Sequence, residues 1–225
     1  GVGDGWGGGN GGSPDLQAMY DANDLRRKPT LMYKDDFYAE LLKADGGYTY
    51  DKESSAGSAI KKYVIGTPDD NGGEVAFMKT PLNTYMMRLA EVYLIYAEAT
   101  MGTANQTTDA DALNYFNMIR NRAGLADDAD GTLTWRDVFD EKRMELAMEF
   151  QHWYDVVRWS YFDQAGALNY LRTQERGDFH WENGVKVVNS RFYDVQAEQL
   201  SYPYPEADVT ANPKLKEDPV DYPFN

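Results

Sequence analysis

The stretch ADDADGTLTWRD, residues 126–137, has the make-up of a twelve-residue calcium loop. Asp128 and Asp130 fall at ligand positions three and five, Gly131 at the tight turn, Leu133 at the apolar position and Asp137 at position twelve. A hard cation needs oxygen ligands at such a spacing. The first position, however, is Ala126, which has no ligating side chain. Asp137 is also one methylene shorter than the glutamate that usually closes such loops with both oxygens. An acidic turn between two helices, with Asp137 capping the second, accounts for the same residues. The expectation is therefore that residues 126–137 hold no ion and that the chain uses no cofactor.

Other reactive residue types are thinly patterned. Carboxylates are abundant, but no pair is singled out as a glycosidase pair would be. His152 and His180 are far apart and lack metal-ligand spacing, so packing or surface roles are expected for both. There is no cysteine, which removes disulfides, thiolate metal sites and thiol nucleophiles within these residues. Gly3, Gly5 and Gly8 fit G-x-G-x-x-G, but no strand precedes them and no apolar helix follows at once, so nucleotide binding is not expected. No nucleophile elbow is present. The net charge of −15 repels phosphate backbones and argues against nucleic acid as a partner. No apolar run approaches the roughly 18 residues of a bilayer span. Residues 1–20 lack a signal-peptide pattern, and the glycine-rich opening reads as the start of a piece of a longer protein.

The elements that would position side chains are mostly helical. SPDLQAMYDAND, residues 13–24, predicts a short helix capped by Ser13, with Pro14 in its first turn. KKYVIG (61–66) and EVAFMK (74–79) read as short strands around the turn-rich TPDDNGG. From Leu89 the period becomes helical through Tyr93 and Ala97, with Arg88, Glu91 and Glu98 toward other faces. A second helix is predicted from about Asp109 to Ala123, stopped by Gly124, and the two make an antiparallel hairpin. A third begins at the Thr134–Asp137 capping box and carries an apolar stripe, broken only by Lys142, to a predicted end near Trp159. Beyond it the period fades into loops, an extended segment VKVVNSRFYDV and a proline-punctuated tail.

Three segments, RLAEVYLIYAEA, ALNYFNMIRNRAGL and DEKRMELAMEFQHWYDVVRW, closely resemble the C-terminal half of the SusD/RagB family. The tail YPYPEADVTANPKLKEDP and the opening GWG…SPDLQAMYDANDLRR match that family's segments in the same order. His152 stands where the family commonly has Arg, and residues 216–222 depart from its usual ending. The resemblance implies a mainly α fold of tetratricopeptide-like helical hairpins with a loop-rich face and short β segments. Residues 1–225 then form a C-terminal SusD/RagB-like domain: a loop-rich ligand-face segment at 1–81, a helical scaffold at 82–160, and loops with an extended tail at 161–225. It implies a non-enzymatic, surface-exposed protein of the outer membrane, lipid-anchored through a missing N-terminal part. Such a protein captures oligosaccharide or polysaccharide for a TonB-dependent transporter barrel of the SusC type. Capture of peptides, or a helical protein-interaction module without a sugar site, are the other readings.

Given that resemblance, the aromatic excess of 14% gains meaning. A sugar ring stacks its C–H face on an aromatic ring while neighbouring polar groups bond its hydroxyls. Trp6 sits among glycines. Tyr20, Asp24 and Arg26 follow a short helix, and Tyr33, Tyr48 and Tyr50 lie in polar, irregular surroundings. Trp6, Tyr20, Asp24, Arg26, Tyr48 and Tyr50 are the candidate ligand residues. Trp153 and Trp159 ride a long helix and are expected in the core. Arg88 and Glu145 are expected to be buried and paired, as scaffold.

Overall fold

The computed structural model describes residues 11–53, 57–76, 79–128 and 130–217. Trp6, the Gly3–Gly8 pattern and most of the family-like ending lie outside the described residues, as do Phe77 and Met78 of EVAFMK.

The short helix α1 (Pro14–Met19) starts as its sequence dictates, with the Ser13 hydroxyl accepting from the Leu16 N–H. A single turn, α2 (Arg27–Thr30), leads into β1 (Leu31–Tyr33). Next come β2 (Phe37–Tyr38) and β3 (Tyr48–Thr49), which pair with each other, and β4 (Ser58–Ile60), which runs antiparallel to β1 with Met32 opposite Ala59. The strand thus precedes KKYVIG, where Tyr63 takes a left-handed backbone (φ 72°) that ends an extended run. In EVAFMK the described pairing is an Ala76–Lys79 bridge.

The helical scaffold follows. Helix α3 (Leu89–Met101) packs on α4 (Ala110–Arg122), and Leu94, Ala97, Phe116 and Ile119 close a shared core with Leu133 and Val138. Tyr93 and Tyr115 stack across this hairpin at 4.6 Å between ring centres. Asp109 caps α4, and Gly124 ends it in a left-handed conformation. Strands β5 (Gln106–Thr107) and β6 (Leu133–Thr134) pair beside the hairpin.

The long third helix is two helices. α5 (Trp135–Glu145) opens with the reciprocal Thr134–Asp137 capping box, and α6 (His152–Ser160) begins after a reversal. Met148 and Phe150 both take left-handed backbones in between. The period misleads because both helices bury a face in one core, where Phe139 of α5 meets Val156 and Trp159 of α6. Lys142, the apparent flaw in the stripe, pairs with Asp155 across the reversal at 2.5 Å.

In the fading region the extended segment VKVVNSRFYDV opens with a strand, and a helix and a partner strand join it. α7 (Gln164–Thr173) packs on α6 through Ala167, Leu168 and Leu171 and is capped by Asp163. β7 (Asp178–Glu182) and β8 (Val185–Asn189) form a hairpin around Asn183–Gly184, both with positive φ, the Asn-Gly signature of a tight turn. The tail adds α8 (Glu206–Ala211). The outcome is a mainly helical fold with short β hairpins.

Candidate functional site

Arg26 is the centre of a buried ionic cluster. Its guanidinium lies 2.7 Å from Asp24 Oδ2, 3.3 Å from Glu145 Oε2 and in contact with Glu141. All four side chains are shielded from solvent. Burial alone would favour neutral arginine, but Asp24 and Glu141 more than offset this and raise the Arg26 pKa further. Burial also pushes the Glu141 carboxyl above the usual carboxylate range, against the pull of Arg26.

Arg88 extends the cluster, reaching Glu145 at 2.9 Å and Glu149 at 2.8 Å. Arg122 joins Glu145 at 2.5 Å. Nearby, Arg158 pairs with Glu98, which also accepts from Trp135 Nε1 at 3.3 Å. Arg88 and Glu145 are thus paired as expected, but only Glu145 is buried; Arg88 is half-buried.

This geometry corrects several candidate ligand residues. Asp24 and Arg26 are committed to the ionic cluster, and Tyr20 is buried with its hydroxyl donating to the Met144 carbonyl at 3.0 Å. Tyr50 is buried with Met32, Tyr38 and Leu41, and Tyr48 packs half-buried against the same group. Tyr33 lies under the Arg27 guanidinium at 4.4 Å. These side chains looked available in sequence because their covering partners, such as Glu141, lie far along the chain. The structure places Tyr20 and Arg26 near α5 and Tyr48 and Tyr50 in a separate cluster, so it does not bring the described candidates together.

In the acidic loop the Asp130 and Asp137 carboxylates accept from backbone N–H groups. Asp137 Oδ2 accepts from the Thr134 N–H at 2.9 Å, Asp130 Oδ1 from the Thr132 N–H at 2.8 Å, and the Asp128 N–H donates to Asn117. Among the described residues no group of three or more His, Asp or Glu side chains converges as a metal site.

A cleft of about 1180 Å³ opens between the α5–α6 reversal, α6, the start of α7 and residues 197–202. Its rim is aromatic and exposed: Phe150 (82%), Trp153 (38%), Tyr154 (69%), Tyr161 (83%) and Tyr202 (94%). Trp153 is therefore not core, whereas Trp159 is buried as expected. The left-handed backbone at Phe150 aims its ring outward, a strained geometry of the kind found at working sites.

The cleft's deeper lining is mostly apolar, with Leu16, Leu146 and Leu200, and includes two buried polar side chains. His152 Nε2 lies 2.9 Å from the Tyr170 hydroxyl, while its buried Nδ1 has no partner. Burial, reinforced by Arg143, lowers the His152 pKa to about 3, so the ring is neutral. Gln174 is buried and accepts from Arg176 at 2.8 Å through Oε1, leaving Nε2 unpartnered. Buried polar groups are normally bonded. The exposed rings of the rim suit a ligand with apolar faces. Its described lining includes no Asp or Glu, so it lacks the carboxylate pair of a glycosidase. The cleft is not legible in the sequence because Phe150 and Trp153 lie on the apolar period that reads as core, while Tyr161 and Tyr202 come from outside α6.

Comparison with known proteins places this arrangement. A SusD-like protein of Bacteroides ovatus is 38% identical over 240 residues, which cover 95% of this chain and 43% of that relative. A solved structure described as a crystal structure with xylogluco-oligosaccharide is 37% identical with a TM-score of 0.82, covering 96% of this chain and 47% of that one. Surface glycan-binding protein A from Bacteroides uniformis shares the fold at 22% identity, with a TM-score of 0.58. The chain spans less than half the length of these relatives. The model of the SusD family matches residues 13–220, from the cap of α1 to beyond α8, and with it the helices that frame the ionic cluster and the cleft. The chain belongs to the SusD family.

Proposed function

We propose that this chain is the ligand-presenting part of a non-catalytic glycan-capture protein at the cell surface. The observation that carries the reading is the likeness, over 96% of the chain, to a structure crystallised with xylogluco-oligosaccharide. The ligand proposed here is an oligosaccharide of that kind. It is handed to a transporter barrel of the SusC type in the outer membrane. A lipid anchor outside these residues holds the protein there. No described helix is long and apolar enough to cross a membrane.

The physical support is the pairing of exposed rings with polar groups in the cleft lining. A pyranose stacks its C–H face on Tyr154 or Tyr161 at the rim, and its hydroxyls bond polar lining groups such as Ser160 and Gln164. Trp6 is the proposed further platform, and Gly11, five residues later, lines the cleft. Each stacked ring contributes on the order of 1 kcal/mol, so one sugar binds weakly and a chain spanning several rings binds well. Binding depends little on salt, because no ion pair drives it.

The test is native affinity electrophoresis in gels holding xyloglucan or a panel of other plant, host and microbial glycans. The parent protein is expected to be retarded by xyloglucan, and Trp6→Ala and Tyr154→Ala each to bind about fivefold more weakly. Parent mobility unchanged by every glycan would end the reading. Retardation of the parent with both variants migrating identically to it would instead refute the placement.

A further inference from the structure

Three Asn–Gly pairs occur in the sequence, at residues 10–11, 71–72 and 183–184, and Asn10 lies outside the described residues. The other two pairs differ in what holds them. The Asn71 amide donates to the Ile65 carbonyl at 2.6 Å and to the Thr67 carbonyl at 3.0 Å. Its neighbour Asp70 ties the same loop to the Leu42 and Lys43 N–H groups. Asn183 and Gly184 instead form the tip of the β7–β8 hairpin. Among the described residues the Asn183 side chain and the Gly184 N–H have no hydrogen-bond partner. Both residues are exposed, as are Glu182 and Val185, the pair that closes the hairpin. A Cβ placed on Gly184 would meet nothing within 4 Å. No buried side chain pins this turn, so it opens locally at little cost.

We propose that Asn183 is a site of spontaneous deamidation, converting to aspartate and isoaspartate through a cyclic imide. Asparagine is among the thermolabile residues, and a following glycine leaves the attacking nitrogen unhindered and the backbone free to rotate. When the turn opens, the Gly184 nitrogen gives its proton to solvent hydroxide and bonds to Asn183 Cγ. The Cγ–Nδ2 bond breaks, and ammonia leaves with a proton taken from water. A second water then opens the ring. Cleavage between Cγ and nitrogen gives aspartate in the ordinary backbone. Cleavage between the main-chain carbonyl carbon and nitrogen gives isoaspartate, in which the chain runs through Cγ. Water is the only co-reactant. Either product carries one more negative charge than asparagine. Isoaspartate also adds a methylene to a two-residue turn whose length fixes the register of Glu182 with Val185 and of Trp181 with Lys186. Trp181 carries the change inward, because its Nε1 donates to the Gly57 carbonyl. At Asn71 the same chemistry must first break both amide hydrogen bonds.

The test ages the full-length product of the gene in mildly alkaline buffer, digests it, and follows the peptides holding residues 71 and 183 by mass spectrometry. Asn183 is expected to convert about 100-fold faster than Asn71, because only Asn71 waits for two hydrogen bonds and its loop to open. In urea both are open Asn–Gly pairs, and the two rates should converge. Electron-transfer fragmentation separates isoaspartate from aspartate. Aged protein enriched in isoaspartate at residue 183 is expected to exchange its β8 amides about tenfold faster than the parent. Asn183→Asp, which has the charge without the extra methylene, should exchange them as the parent does. Conversion at Asn183 no faster than at Asn71 in the folded protein would overturn the proposal. Parent-like exchange in the isoaspartate form would overturn its effect on the hairpin.

Discussion

Glu145 Oε1 lies 2.9 Å from Arg88 Nη1, fifty-seven residues earlier in the chain. Its other oxygen takes Arg122 at 2.5 Å and Arg26 at 3.3 Å. One buried carboxylate thus joins α5 to three other segments. Glu145→Gln leaves these guanidiniums without their shared anion and is expected to cost about 3–5 kcal/mol. Arg88→Met should cost less, since Glu145 keeps two arginines and Glu149 keeps Lys62. Urea unfolding midpoints measure both, and a Glu145→Gln midpoint equal to the parent's would refute the anchoring role.

His152 sets a pH dependence. Its folded pKa, lowered by burial and then by Arg143 and its cationic neighbours, is about 3, below its ordinary 6.5. Because the folded value is depressed, its contribution is complete above pH 6.5 and declines as pH falls toward 3. The slope from this group reaches about 1.4 kcal/mol per pH unit. His152→Phe is expected to flatten stability between pH 6.5 and 5, measured by urea titrations at several pH values. Asp70 and Glu149 act in a more acid window. Backbone N–H groups of Thr67 and Lys43 hold Asp70 well below the usual carboxylate range, and Arg88 and Lys62 lower Glu149 despite its burial. Both contributions are present above the ordinary carboxylate pKa and are lost as pH falls through the folded values. A parent slope between pH 6.5 and 5 that survives His152→Phe would contradict the assignment.

Gly57 has φ 71°, and a Cβ there would stand 2.0 Å from the ring of Phe179. Its carbonyl also accepts from Trp181 Nε1 at 3.0 Å. Gly57→Ala therefore combines backbone strain with overpacking and is expected to destabilise by about 2–4 kcal/mol. Calorimetry would show the lowered melting temperature; an unchanged one would mean that the β4 and β7 segments do not meet this way.

Phe150 offers the opposite case. A non-glycine residue in the left-handed region costs about 1–2 kcal/mol, while glycine's extra entropy returns about 0.5–1 of that. The ring is largely exposed, so little packing is lost. Phe150→Gly is expected to raise the melting temperature slightly and to weaken glycan retardation in the same preparation. A variant both less stable and fully able to bind would show that the ring packs rather than presents itself.

The sequence was most legible where a local signal matched the final neighbours. Asp109, Gly124 and the Thr134–Asp137 box each act within a few residues of themselves, so α4 and the start of α5 were readable from spacing. The reversal after Glu145 was not. Its residues are ordinary helix formers, and the turn is held by Lys142 reaching Asp155 and Phe139 meeting Trp159. The cleft inherits that illegibility, since Trp153 and Tyr154 face it only once α6 has folded back. Asp24 and Arg26 were misread for a related reason: a charged pair looks like a ligand set until Glu141 is known to lie against it.

The separation of 115 positions between Arg26 and Glu141 also orders events in time. A chain that emerges amino end first presents Arg26 long before α5 exists. Until then only Asp24 is at hand to balance it, and the segment around β1 has no reason to stay dry. Closure around Arg26 must therefore be a late step that waits for α5. Pulsed hydrogen exchange during refolding should show the amides of α3 and α4 protected early, and those around Arg26 among the last to join them.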